Sequence, residues 1–337
     1  MSSRMIPSDG GVLSRLNAVA PRIEYLPLEP GRPLPADALF AVEFGNRQTP
    51  VPPRCARVRL EPLAGAGLTE VWYANGPVHT GFDGQIRFAA DDHHLAAAIE
   101  VDEREHGGLE GAAAYVYSSI ARFQLTSRYP HLLRIWNYLD GINLGEGDAE
   151  RYRVFCSGRT AGLRELRQER FPAATAIGRR DGSHMLQVYW LAGREPGIAL
   201  ENPRQLAAYH YPRQYGPTPP AFSRAMVVAP DLLMISGTAS IVGHASRHAG
   251  SVQRQMAEIL NNLDTLLSRA RAHGPALPLR FSRATLIKAY LRHPGDLPFV
   301  EQQLRERLPA GTPFLVLLGD VCRADLLLEL DCLHAAE

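Results

Sequence analysis

The stretch Ser251–Pro275, SVQRQMAEILNNLDTLLSRARAHGP, carries the clearest structural signal in the chain. Val252, Met256, Ile259, Leu260, Leu263, Leu266, Leu267 and Ala270 recur at three- and four-residue spacing, which gathers them on one face of a helix. Gly274 and Pro275 then stop it. Working outward, Met226–Val228 and Leu232–Ser236 read as strands before this helix and Ala284–Leu291 as a strand after it. A shorter helix follows, with Asp296 as its expected N-cap and Pro309 beyond its end at Arg307. Phe314–Leu318 and Leu326–Leu330 close the segment as two apolar strands, so the order is β-β-α-β-α-β-β.

The middle of the chain repeats part of that order. Leu109–Arg128 reads as a helix, Leu132–Trp136 as a strand, Ala149–Arg167 as a helix, and Ala174–Ile177 and Met185–Leu191 as strands. No residue-level repeat is visible, so the shared element order is the evidence for an α+β protein of two similar modules, mixed sheets with helices on one face. The boundary is expected between residues 205 and 206, giving modules 1–205 and 206–337. Pro27–Pro35 and Tyr211–Pro220 read as structured loops, the second at the junction of the modules, where ligand pockets tend to form.

Composition narrows the function classes. The 337 residues are 45% hydrophobic and 21% charged with a formal net charge of +1, an ordinary globular balance. No basic stripe interleaved with aromatic residues is present, which argues against a nucleic-acid partner. No apolar run reaches the length of a membrane span, and the N-terminal run Met1–Gly11 lacks a signal-peptide core, so a cytosolic protein without a membrane partner is expected. Cys55, Cys156, Cys322 and Cys332 are scattered, suggesting neither a disulfide framework nor a zinc site. His244 and His248 are four apart but lack the glutamate and third ligand of a metal site, so a loop position is the better reading. Gly145-Glu146-Gly147 lacks the context of a nucleotide fingerprint, and neither Ser157 nor Ser236 lies in a nucleophile elbow. Lys288 is the only lysine, leaving 35 arginines among the 36 basic residues. A Schiff-base mechanism therefore has a single, poorly placed candidate, whereas arginine, with its planar fork, suits carboxylate ligands.

Three stretches concentrate candidate chemistry. Tyr152 and Arg159 are seven residues apart, two helical turns, and project from one face; a solvated helix surface is the competing reading. Tyr209-His210-Tyr211-Pro212-Arg213-Gln214-Tyr215 continues to Arg224 and offers phenols and a guanidinium in a proline-restrained loop; aromatics packed on the module surface would give the same pattern. In Val321-Cys322-Arg323-Ala324-Asp325-Leu326-Leu327-Leu328-Glu329-Leu330-Asp331, alternation places Asp325, Leu327, Glu329 and Asp331 on one strand face. Glu329 between leucines could have the raised pKa of a general acid, or belong to a solvated face of an edge strand.

From about Trp136 onward the sequence resembles the chorismatases, enzymes that remove pyruvate from chorismate. The resemblance rests on Arg134–Tyr138 leading to Gly145–Gly147, Arg151–Arg159, Tyr211–Pro217 and Cys322–Glu329, in that order. Its C-terminal part resembles the Rid/YjgF and AroH-type chorismate mutase fold. The resemblance implies that Tyr152, Arg159, Tyr211 and Arg224 hold the two carboxylates of chorismate and that Glu329 is the catalytic acid. A cysteine seven residues before that acid resembles the hydroxybenzoate-forming members, and Cys322 stands there, implying 3-hydroxybenzoate plus pyruvate, with 4-hydroxybenzoate as a second product. Hydrolysis to 3,4-dihydroxycyclohexa-1,5-dienoate, an imine deaminase of Rid type, and a non-catalytic Rid-like binding protein stay open as alternatives. No cofactor and no metal are expected, and the assembly implied is a monomer or a homotrimer.

Overall fold

The computed structural model describes residues 18–27, 33–46, 51–166 and 171–337. Met1–Gly11, the middle of the loop expected at Pro27–Pro35 and the last residue of the helix expected at Ala149–Arg167 lie outside the described residues.

Four helices are described: α1 (Leu109–Thr126), α2 (Arg151–Gly162), α3 (Val252–Ala270) and α4 (Leu297–Arg307). Helix α3 is the one read from its apolar periodicity, and Ser251 caps it by accepting from the Arg254 N–H. Asp296 precedes α4 without a side-chain cap, because a short 3-10 turn, Pro294–Asp296, leads directly into the helix.

The strands form three main sheets. An N-terminal sheet of four strands includes Ala38–Phe44 and Leu68–Tyr73. A middle sheet runs in the order Ala173–Arg179, His131–Asp140, Met185–Gly193, His94–Asp102, Ile86–Ala90, His79–Asp83. The C-terminal sheet runs Ile198–Leu200, Ala225–Ala229, Leu232–Ala239, Leu328–Ala335, Leu286–Leu291, Phe314–Leu318, Pro62–Ala64.

Stripped of their outer strands, the middle and C-terminal sheets have one topology. Numbering the strands of each β-β-α-β-α-β-β unit from one to five, the spatial order is 1-2-5-3-4 in both, with a parallel pair between strands three and four. The part-repeat read in the sequence is therefore a full duplication of connectivity, its first two strands being Ile86–Ala90 and His94–Asp102. Each unit packs its helices on one face. Leu109, Val116, Phe155 and Cys156 of α1 and α2 cluster on the middle sheet, and Met256, Leu263 and Leu304 of α3 and α4 on the C-terminal sheet. The opposite faces meet the N-terminal sheet in a shared core that includes Trp72, Trp136, Tyr189, Met234 and Leu315.

The last strand departs from its expected bounds, starting at Leu328 and running to Ala335. Residues before it are turned: the Leu326 N–H donates to the Arg323 carbonyl, while the Gln255 side chain donates to the Asp325 carbonyl and accepts from the Leu327 N–H. A side chain of α3 thus replaces the ladder partners this segment would otherwise need, and Asp325 is not part of the strand. Glu329 and Asp331 do share a face, but the strand is central and both are buried, which removes the solvated-edge reading.

A charged network runs through the shared core. The Lys288 ammonium donates to Glu70 at 2.8 Å and to the Tyr189 hydroxyl at 3.1 Å, and lies 3.8 Å from Asp331. Asp331 also accepts from the Trp136 indole at 3.0 Å, the Tyr290 hydroxyl at 2.9 Å and the Thr175 hydroxyl at 3.1 Å, with the Arg134 guanidinium 3.4 Å away. Two cations thus balance two carboxylates among residues from all three sheets. Removing one member strands its partners as buried charges. Lys288→Met is therefore expected to destabilise the fold by about 3–5 kcal/mol, seen as a lower urea midpoint; an unchanged midpoint would show that the network does not hold the sheets.

Candidate active site

A pocket of about 800 Å³, counting its open mouth, lies between the two units. Helix α2 and the edge strand Ala173–Arg179 line it from one unit, and Arg224, the Gly237–Ile241 segment and the Cys322–Glu329 segment from the other. Tyr211 and Tyr215 close one side. All six residues singled out in the sequence, Tyr152, Arg159, Tyr211, Arg224, Cys322 and Glu329, reach this pocket.

Helix α2 can present Tyr152 and Arg159 because it lies tight against α1. A Cβ at Gly158 would come within 2.2 Å of the Glu110 carbonyl, and one at Gly162 within 2.6 Å of the Ala114 carbonyl. Glycine at both positions lets the backbones approach this closely. Arg159 is 3% exposed, its guanidinium 5.0 Å from the centre of the Tyr117 ring, and its Nε and Nη2 have no hydrogen-bond partner. A buried cation with such donors is suited to receive an anion. Burial pushes the Tyr152 phenol well above its ordinary pKa, with the neighbouring cysteines and Glu329 adding to the effect, so it remains a neutral donor.

Arg224 donates through one nitrogen to the Tyr211 hydroxyl and the Leu206 carbonyl, each at 2.8 Å, while its Nε is buried and unpartnered. Across the mouth, Arg323 stacks on Tyr215 at 4.0 Å and donates to the His244 carbonyl at 2.9 Å. His244 itself sits in a two-stranded turn, not a helix, and its ring pairs with the Tyr215 hydroxyl at 3.1 Å. No group of three potential metal ligands occurs among the described residues.

Glu329 lies at the inner end of the pocket. Burial, reinforced by the negative charge of Asp331, raises its pKa to about 8 despite Arg134 and Arg224, so the carboxyl is mostly protonated near neutral pH. Space for it comes from Gly237, where a Cβ would fall 1.9 Å from the Glu329 Oε1. Gly237 sits where the ladder to the last strand shifts register between Ile235 and Thr238. Its N–H donates to the Thr175 hydroxyl at 3.0 Å, which also accepts from Arg134 at 2.5 Å. Burial and Glu329 push the Cys322 thiol up to about 12, keeping it uncharged and a poor nucleophile.

Sequence reasoning did not identify the support beneath Glu329: Thr175 and Gly237 were not singled out, and Arg134 and Asp331 entered only as part of a motif and of a strand face. Their roles have meaning only when the strands are assembled.

A family model described as "Chorismatase FkbO/Hyg5-like, N-terminal" matches residues 70–192. A chorismatase of Streptomyces hygroscopicus is 36% identical over 272 residues, 78% of this chain and 78% of that one. The chain belongs to the chorismatase family. A 3-hydroxybenzoate synthase of the same species is 35% identical over 279 residues, covering 78% of this chain and 80% of its own. A chorismatase crystal structure superposes with a TM-score of 0.80 at 32% identity, covering 94% of this chain and 98% of the other. Both units have the mixed sheet with helices on one face that the shared element order predicted.

The unpartnered Arg159 predicts a conflict between stability and binding. Arg159→Met removes an uncompensated buried charge, so the ligand-free variant should melt about 2–4 °C above the parent. Chorismate should raise the melting temperature of the parent and not of the variant; scanning calorimetry with and without it reads both effects.

Proposed function

We propose that this chorismatase family member converts chorismate to 3-hydroxybenzoate and pyruvate, with Glu329 as the acid. The observation that carries the reading is a buried, protonated carboxyl in a pocket that also holds two guanidiniums, Arg159 with unpartnered donors and Arg224 fixed by the Tyr211 hydroxyl. Chorismate has carboxylates at its two ends. Arg159 with Tyr152 would take one and Arg224 with Tyr211 the other, setting the enolpyruvyl ether against Glu329.

Glu329 then gives its proton to the enolpyruvyl methylene carbon, leaving an oxocarbenium centre and a labile bond between ring C3 and the ether oxygen. The C4 hydroxyl displaces that oxygen at C3, losing its own proton, and pyruvate departs. The resulting arene oxide opens and the ring loses a C–H proton as it becomes aromatic. The protons balance, no water is consumed, and no cofactor is called on. A 35% identical relative bearing the name 3-hydroxybenzoate synthase supports this product. Cys322, an apolar neutral thiol facing the same pocket, is assigned to excluding water or relaying the aromatisation proton.

Glu329→Gln should stop pyruvate release from chorismate, with the far-ultraviolet spectrum of the parent retained. In the parent, kcat/KM should be highest on the acid side and fall as pH rises through about 8, because the working form is the protonated one. Continued pyruvate release by the glutamine variant, or a rate that climbs through that range, removes Glu329 as the acid.

Cys322→Ala should move the product mixture from 3-hydroxybenzoate toward 3,4-dihydroxycyclohexa-1,5-dienoate when quenched reactions are separated by chromatography. An unchanged ratio takes Cys322 out of product choice.

A further inference from the structure

Arg224 has a carboxylate neighbour that does not line the pocket. Glu201 follows the edge strand Ile198–Leu200, and the Arg224 N–H donates to the Leu200 carbonyl at 3.0 Å, so the backbone holds the two residues side by side. The Glu201 Oε2 lies 4.0 Å from the Arg224 Nε. Both atoms are buried, and neither has a hydrogen-bond partner. The pair faces each other across a gap too long for a direct hydrogen bond.

We propose that Glu201 is a positioning residue, the counter-ion that sets how tightly Arg224 grips a substrate carboxylate. It rests on the assignment of Arg224 to substrate binding made above. An ionised Glu201 neutralises the guanidinium from behind and repels a second carboxylate arriving in front; a protonated one leaves the whole charge of Arg224 to the ligand.

Burial raises the Glu201 pKa to about 7, against the attraction of Arg224, which puts the change between these two conditions near neutral pH. Arg224 is the charged group acting on Glu201. Arg204, three residues on, is occupied with Asn262 and Glu258 of α3, and Glu258 also meets His248 at 3.3 Å. A carboxylate ligand at Arg224 must favour the protonated form of Glu201, so binding and proton uptake are linked.

Chorismate binding to the Glu329→Gln variant, followed by titration calorimetry from about pH 6 to about pH 8.5, isolates this linkage because the other titrating carboxyl is gone. The Kd should weaken by roughly five- to tenfold over that range, with uptake of about half a proton per site near pH 7.5 in buffers of differing ionisation heat. Adding Glu201→Gln should flatten the profile to within about twofold, abolish the proton uptake and tighten binding at the alkaline end. A parental pH slope in the Glu201→Gln variant, or binding to Glu329→Gln without proton uptake, overturns the proposal. Adding Arg224→Gln to the same background checks the assignment beneath it: unchanged chorismate affinity there would refute the substrate role of Arg224, a failure distinct from that of Glu201.

Discussion

The ammonium of Lys288 sits where the three sheets converge, and its contacts with Glu70, Asp331 and Tyr189 tie them together. In a chain whose other basic residues are all arginine, this one position keeps the compact point charge. A planar guanidinium needs a broader slot and more acceptors in its plane, whereas an ammonium can meet three partners in a tight space. Burying such a group is costly unless every charge finds a partner, and here Arg134 and Lys288 balance Glu70 and Asp331.

That network prepares the site. Asp331 and Glu329 are two residues apart on one strand face; the first accepts from Trp136, Thr175 and Tyr290 within the core, and the second opens into the pocket. The fixed negative charge of Asp331 then opposes ionisation of Glu329, so the core network and the acid at the pocket are electrostatically one system. The two pocket arginines complete it from the other side. Arg159 is held over the Tyr117 ring by close helix packing and Arg224 is fixed by Tyr211, so positive charge stands in position at the pocket.

The duplicated topology explains why the pocket is where it is. Each unit needs its helices on one face and leaves an apolar face to be covered, and the N-terminal sheet together with the other unit covers it. The units also touch at their edges, where Gly178 and Asp320 exchange backbone hydrogen bonds at 2.8 and 2.9 Å. The gap left between α2 of one unit and the last strand of the other is the pocket. Neither unit alone carries the full set of groups.

Much of this was legible in the amino-acid order. Local periodicity determined the helix at Val252–Ala270, the strands around it and the pairing of Tyr152 with Arg159 on one face of α2, because each depends on spacing along a few turns. Motif resemblance brought together Tyr152, Arg159, Tyr211, Arg224, Cys322 and Glu329, six of the residues that line the pocket. The strand alternation put Glu329 and Asp331 on one face but could not tell a solvated edge from a buried centre, since that depends on which strands pair on either side. Only the tertiary structure decided it, along with the Gly237 bulge that makes room for the carboxyl, the Gln255 contacts that end the preceding turn, and the role of Lys288. All of these involve partners tens to hundreds of residues apart, brought together by the assembled sheets and without a local pattern to mark them.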